Sequence, residues 1–218
     1  FDSLGLRLAA RYEKVDNFSS VDPKISLSYN PMDQITLRIS RGTSFTMPSM
    51  AQMYSSDINL GSVRDLEGSI FVRQARIGNP DLKPATSTNS NFGLIYDSDI
   101  NRFSIDYWKI DYRDRIEAES SQAILDLDPQ GPSITRNENG ELIAVTTTYF
   151  NEESTLISGI DLSYEHIFDL SDNGILEFAL KGTSFYKFLT PDQTSDVTET
   201  VLTNRIGKFN FDTHTHAL

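Results

Sequence analysis

NFGLIYDSDINRFSIDYWKIDYRDRI, Asn91–Ile116, is the stretch on which the fold turns. Phe92, Leu94 and Tyr96 alternate with Asn91 and Gly93, and only Ile95 interrupts the polar side. Asp97-Ser98-Asp99-Ile100-Asn101 reads as a tight turn. Phe103, Ile105 and Tyr107 then alternate with Arg102, Ser104 and Asp106. Period two means a strand with one apolar and one polar face, and a short turn between two such strands makes an antiparallel hairpin. After Tyr107 the phase slips, because Trp108, Ile110 and Tyr112 are apolar on the other parity. A β-bulge would do this, or a strand that leaves one environment for another.

The same alternation recurs outward from this hairpin. It runs through Leu4, Leu6 and Leu8, through Ile25, Leu27 and Tyr29, and through Ile35, Leu37 and Ile39. It returns in Ile160, Leu162 and Tyr164 and in Leu176, Phe178 and Leu180, which brings the expected strands to seven. Short turns are expected at Asn30–Asp33, Asp97–Asn101 and Asp169–Gly174, where Pro, Asn, Asp and Gly cluster. Long connections are expected at Glu13–Pro23, Thr46–Ala85, Arg113–Thr155 and beyond Thr190, with a small hairpin turned by Asn137–Gly140 inside the third. Short and long connections therefore alternate, which is the habit of an up-and-down meander in a membrane barrel.

Composition removes several functions. The chain has 218 residues and a net charge of −12, with no cysteine. The acidic balance and the lack of a basic stripe argue against nucleic acid. Without cysteine there is no disulfide, thiolate metal site or cysteine nucleophile. No apolar run reaches the roughly 18 residues of a membrane helix. No signal-peptide pattern opens the chain, which reads as if cut from something longer. There is no nucleophile elbow, zinc-protease motif or phosphate-cradling glycine loop, so no enzyme is expected and no cofactor is implied. The acidic clusters Glu117–Asp128 and Asp192–Glu199 read as solvated loops. His214 and His216 would share one side of an extended strand, a spacing that could hold a metal, but only Asp212 offers a further ligand.

The polar parity is assigned Arg7, Arg11, Arg38, Arg41, Arg102, Asp106, Asp161, Glu165, Glu177 and Lys181, a mixed-charge wall suited to a wetted barrel interior. Aromatics gather at both strand ends, as two membrane interfaces would select. A soluble β-sandwich that captures glycans on its loops would share the half-buried strands, but its apolar faces would be covered by a second sheet. A structural or adhesive outer-membrane barrel without import would share the strands as well.

Four ordered blocks carry a resemblance. SRGTSFTMPSMAQMY (Ser40–Tyr54), GNPDLKP (Gly78–Pro84), FSIDYWKIDYRDRI (Phe103–Ile116) and YFNEESTLISGIDLSYEH (Tyr149–His166) resemble TonB-dependent outer-membrane receptors, with Asn151 and Gly159-Ile160-Asp161 at the family's landmarks. The resemblance implies an all-β, antiparallel up-and-down meander. Residues 1–218 would form part of one barrel domain of about 22 strands. The plug domain and closing strands would lie elsewhere. It also implies a bacterial outer-membrane location and TonB-energised uptake of a scarce nutrient such as an iron–siderophore, cobalamin or a saccharide. The implied partners are outer-membrane lipid, the plug and the TonB complex. Two positions depart from the family pattern, Thr46 where it has Arg and Ala85 where it has Glu, and the lost pair is expected to have been in contact.

Lipid-facing positions are expected at Ile25, Leu27, Ile35, Leu37, Ile39, Phe92, Leu94, Phe103, Ile105, Ile160, Leu162, Leu176, Phe178 and Leu180. Ligand contacts are expected from loop bases and the upper lumen, with Arg41, Ser49, Gln52, Tyr54, Arg73 and Tyr149 as candidates for their hydrogen-bonding or aromatic character.

Overall fold

The computed structural model describes residues 3–15, 18–66 and 68–191, with 202–204, 206 and 216–217. In chain order its elements are β1 (Ser3–Val15), β2 (Phe18–Met32), β3 (Ile35–Thr46), α1 (Met50–Tyr54), β4 (Ser56–Asp65), β5 (Gly68–Ile77), β6 (Ala85–Asp97), β7 (Asn101–Ala118), α2 (Ser121–Leu127), β8 (Ile134–Arg136), β9 (Leu142–Asp169), β10 (Ile175–Pro191), β11 (Leu202–Asn204) and β12 (His216–Ala217). The wall runs β1-β2-β3-β6-β7-β9-β10-β11, and the seven strands read from the sequence are its first seven. Every neighbouring pair along this wall is antiparallel.

Register turns the alternation into faces. One row across the wall reads Leu4, Tyr29, Leu37, Leu94, Ile105 and Leu162. The adjacent row, one residue along each strand, reads Gly5, Ser28, Arg38, Gly93, Asp106 and Asp161. Successive residues point to opposite faces, so the first row belongs to an apolar face and the second to a polar one. No second sheet covers the apolar face among the described residues. Leu6 is 61 %, Phe92 50 % and Phe178 49 % exposed, which removes the sandwich arrangement.

The phase slip after Tyr107 involves no bulge. Ladders on both sides of β7 run unbroken from Phe103 through Tyr112. The strand changes environment instead. Lys109, Asp111 and Arg113 continue the face of Ile105 and Tyr107, while Trp108, Ile110 and Tyr112 continue the face of Asp106. The apolar belt therefore ends between Tyr107 and Lys109.

Two expected connections differ from the structure. Glu13–Pro23 is no loop, since Glu13 pairs with Ser20 and the ladder closes at Val15 and Phe18. Its polar residues continue the strands beyond the belt, where hydrophobic alternation no longer marks them. The turn expected at Asn30–Asp33 lies two residues later, centred on Asp33–Gln34 between Met32 and Ile35. Pro31, which has no N–H for the ladder, sits at the irregularity between Tyr29 and Met32. The Asp97–Asn101 turn closes through Ser98 N–H to the Asn101 carbonyl (2.8 Å), and Gly174 ends the Asp169–Gly174 turn at φ +99°. The hairpin at Asn137–Gly140 forms between β8 and β9, with Gly140 at φ +84°.

Strand length exceeds what a bilayer needs. β7 has 18 residues and β9 has 28, against about 9–11 for one crossing. The surplus of both strands lies on the side of the long connections.

Candidate functional site

The long connections fold into one assembly. β4 and β5 form a hairpin, turned at Gly68 with φ +122°. β5 then pairs in parallel with the upper part of β9, from Arg73 against Ala144 to Ile77 against Thr148. β8 pairs with the same stretch of β9 on its other side. α2 packs over the junction, and Val63, Val72, Leu125, Leu142 and Val145 form a small buried core between the two connections.

Polar ties lock this core. Arg136 donates to both Asp65 oxygens, Nη1 at 2.7 Å and Nη2 at 3.1 Å. That guanidinium holds the Asp65 carboxyl below its ordinary value. Gln122 mimics a strand neighbour of Arg64, accepting its N–H (2.7 Å) and donating to its carbonyl (3.0 Å). Lower on β9, Glu152 is 3 % exposed and accepts from Arg115 Nη2 at 2.7 Å and from Thr155 Oγ1 at 2.5 Å. Burial pushes the neighbouring Glu117 carboxyl up, against the pull of Arg115 and with the added repulsion of Glu152.

GNPDLKP joins this assembly to the wall. Asn79 Oδ1 accepts from Asp81 N–H (2.9 Å), fixing the turn, and Leu82 is 2 % exposed beneath it. Asn151 clamps its end, accepting from Lys83 N–H and donating to the carbonyls of Lys83 and Asp114, each at 2.8 Å. Asp114 sits at φ +52°, a conformation that costs a non-glycine residue energy. Gly78 and Asn79 donate to the Ser55 and Gln52 carbonyls (2.8 and 2.9 Å), seating α1 on the turn. A Cβ on Gly78 would meet Met53 backbone at 2.7 Å, so the contact requires glycine there. The turn therefore fixes strand register and also places α1.

The sequence candidates divide. Ser49 and Gln52 form a capping box on α1, with Ser49 N–H to Gln52 Oε1 (2.9 Å) and Gln52 N–H to Ser49 Oγ (3.2 Å). Their polar groups are used within the helix. Tyr54, at the end of the same helix, is 63 % exposed. Tyr149 lies next to the turn, its carbonyl accepting from Asn79 Nδ2 (2.9 Å) and its ring lying 5.6 Å beneath the Arg76 guanidinium. Arg73 is exposed on β5 beside Leu60, on the opposite face of the hairpin from Val72. Arg41 is a correction. It pairs with Ile25 and Ser90 on the face of Leu37 and Ile39, so it does not line the polar face with Arg38. The odd spacing from Arg38 to Arg41 already dictates this.

The pair at His214 and His216 falls outside the residues whose side chains are described, as does the acidic run Asp192–Glu199. Among the described residues no three His, Asp or Glu side chains converge as a metal site. Thr46 and Ala85 are direct partners at the top of the β3–β6 ladder, so both departures from the family pattern fall on one cross-strand pair.

Sequence reasoning missed Asp65, Arg76, Gln122 and Arg136. A signal for the β4–β5 hairpin existed in the glycine of LEGS (Leu66–Ser69) between two apolar runs. The parallel pairing of β5 with β9 joins segments about 70 residues apart and left no local mark.

An open antiparallel wall with a bare apolar belt, a polar opposite face and an interlocked loop assembly at one end defines a segment of a transmembrane β-barrel. The chain belongs to the TonB-dependent receptor family: the model of the TonB dependent receptor-like β-barrel matches residues 1–211. A protein described as "Probable TonB-dependent siderophore receptor PirA", from Acinetobacter baumannii, is 29% identical over 115 residues, covering 53% of this chain and 15% of its own length. The crystal structure of the siderophore receptor PirA from Acinetobacter baumannii superposes with a TM-score of 0.59 at 22% identity, over 87% of this chain and 27% of that one. The ferric enterobactin receptor PfeA of Pseudomonas aeruginosa, an R480A mutant in complex with enterobactin, gives 0.61 at 18% identity, over 86% and 27%. The chain thus spans about a quarter or less of the relatives it matches.

Proposed function

We propose that the full-length protein is an outer-membrane receptor that imports an iron–siderophore, with the apolar belt in lipid and the loop assembly meeting ligand outside. The observation that carries this reading is the family match over residues 1–211, which includes the loop assembly as well as the wall. The relative described as a siderophore receptor, matched both in sequence and in its crystal structure, and the enterobactin complex favour that ligand class over cobalamin or a saccharide. The polar face would meet a plug domain supplied elsewhere in the protein, and the TonB complex would energise release. Tyr54, Arg73 and Tyr149 are the ligand candidates whose exposure or position leaves them available. Arg76, held over Tyr149, joins them. Ser49 and Gln52 would act by holding α1.

Uptake of radioactive iron loaded on siderophores tests this in cells lacking the gene and cells carrying it back. Loss of uptake on deletion, rescue by the full-length gene and no rescue without TonB are expected. Unchanged uptake of every siderophore offered, with the protein present in the outer membrane, would overturn the import reading.

A further inference from the structure

β4 is bonded on one side only. Its ladder with β5 runs unbroken from Ser56 against Ile77 to Asp65 against Gly68, and among the described residues no strand lies on its other side. Two contacts fix which of its backbone groups face that open side. Gln122 takes the N–H and the carbonyl of Arg64 (2.7 and 3.0 Å), so Arg64 turns both away from β5. Ser55, just before the strand, accepts from Gly78 N–H, just after β5 (2.8 Å), so the odd-numbered residues are the ones that bond across the hairpin. In an antiparallel pair the two kinds of residue alternate. Ile58, Leu60 and Ser62 therefore present N–H and C=O to the open edge, and no described residue meets these groups. Gln122 closes the edge at the Arg64 end.

The same residues carry apolar surface. Ile58 and Leu60 share a face with Phe71 and Arg73 of β5, opposite the core residues Val63 and Val72. Ile58 is 60 %, Leu60 75 % and Phe71 80 % exposed. Asp57 and Asn59 occupy the other face of the edge and are exposed too. A strand with open ladder groups and alternating apolar side chains is a template for another strand, and no proline, lysine or bulge blunts β4. The assembly also shows how its loops join: β5 and β8 come from different connections, and both add to β9. This chain spans 27% of each matched crystal structure, so most of such a receptor, other outer connections included, lies outside residues 1–218. A loop tethered to the same barrel is present at an effective concentration on the order of millimolar, far above that of a free strand or a second receptor.

We propose that a strand from another outer connection of the same receptor, outside residues 1–218, adds to the free edge of β4 and extends the loop sheet. Apolar side chains on one face of that strand cover Ile58 and Leu60, and polar ones on the other lie beside Asp57 and Asn59. The addition fixes a third connection to the two already interlocked. The proposal goes beyond the import reading and does not depend on it.

The test is hydrogen exchange at single-residue resolution on the full-length receptor, one copy per nanodisc, without siderophore. The amides of Asn59 and Gly61, which bond to β5, are the internal reference. Those of Ile58, Leu60 and Ser62 are expected to exchange within about tenfold of them. Faster exchange would show an open edge and overturn the proposal. Leu60→Pro removes one outward N–H and none that β5 uses, so it should release Ile58 and Ser62 while Asn59 and Gly61 stay slow. Unchanged exchange at Ile58 and Ser62 in that variant would also overturn the proposal, and unchanged heat-modifiable gel mobility shows that the variant has folded. A benzoylphenylalanine photocrosslinker in place of Leu60 identifies the partner. A link within one receptor to a peptide outside residues 1–218 is expected, whereas a crosslinked dimer, or no link outside residues 1–218, contradicts the assignment. None of these readouts involves iron, so the import reading can fail while this one stands, and the reverse.

Discussion

Arg38 and Asp106 form a two-point ion pair across a strand that separates them. Arg38 Nε and Nη2 donate to the two Asp106 oxygens at 3.0 and 2.6 Å, although β3 and β7 each pair with β6 and not with each other. Gly93 of β6 lies in register between them. A Cβ there would collide with Asp106 Oδ1 and approach Arg38 Nε to 2.7 Å. Glycine is the opening through which the pair meets.

Gly93→Val should therefore act as a charge-pair mutation. Arg38 is 47 % exposed, so solvent weakens the pair, and its coupling is expected at about 1–2 kcal/mol. A double-mutant cycle of Arg38→Gln with Asp106→Asn, read by urea unfolding of the full-length receptor, measures it. In the Gly93→Val background the coupling should fall to near zero. A coupling that survives there would show that the ions meet by another path.

Asn151→Ala removes one acceptor and two donors at the base of GNPDLKP. The freed groups of Lys83 and Asp114 then lose their partners, at a cost of about 2–3 kcal/mol if they stay dry. Hydrogen exchange at Lys83 should accelerate while exchange in the β3–β6 ladder stays slow. Asn151→Asp should recover the Lys83 N–H bond only. Equal exchange at Lys83 in all three proteins would contradict the clamp.

Acid should loosen the loop assembly through Asp65. Its carboxyl is held below the ordinary value of 3.8 in the folded state, chiefly by hydrogen bonding to Arg136. A depressed carboxyl stabilises the fold at pH above its unfolded value, and that stabilisation disappears as pH falls through the folded value. Hydrogen exchange of β4 and β5 should thus rise below about pH 4. In Asp65→Asn it should already be raised at neutral pH and lack this acid step. A wild-type profile flat down to pH 3 would remove the Asp65–Arg136 tie from the account.

The wall was legible because each residue in the belt obeys one rule. Leu37, Leu94, Ile105 and Leu162 all lie on the one bare apolar face, so a period of two survives in every strand. Beyond the belt both faces are polar or locally buried, and the rule lapses. That is why Glu13–Pro23 reads as a loop yet continues a ladder, and why Lys109 looks like a phase error yet lies in register. The family landmarks were visible as residues but not as reasons. Gly159 leaves room for Trp108, whose Cζ2 would lie 2.6 Å from an added Cβ, and Asp161 accepts from the indole N–H at 3.1 Å. The loop assembly was the least legible part. Asp65 and Arg136 are 71 positions apart, and their segments meet through the parallel pairing of β5 with β9 and the small core beside it.

The central claim is that the face of Ile105 and Leu162 meets lipid and that the belt ends before Lys109. The chain has no cysteine, so single labels can be placed at will once other cysteines of the full-length receptor are removed. Spin labels at Ile105, Leu162, Lys109 and Asp161, in the receptor reconstituted into bilayers, would be probed with oxygen and with a water-soluble nickel chelate. The account predicts oxygen-dominated relaxation at 105 and 162 and nickel-dominated relaxation at 109. The label at 161, facing the polar interior, should show little oxygen effect. Nickel access at 105 and 162, or protection of both from either reagent, would contradict it.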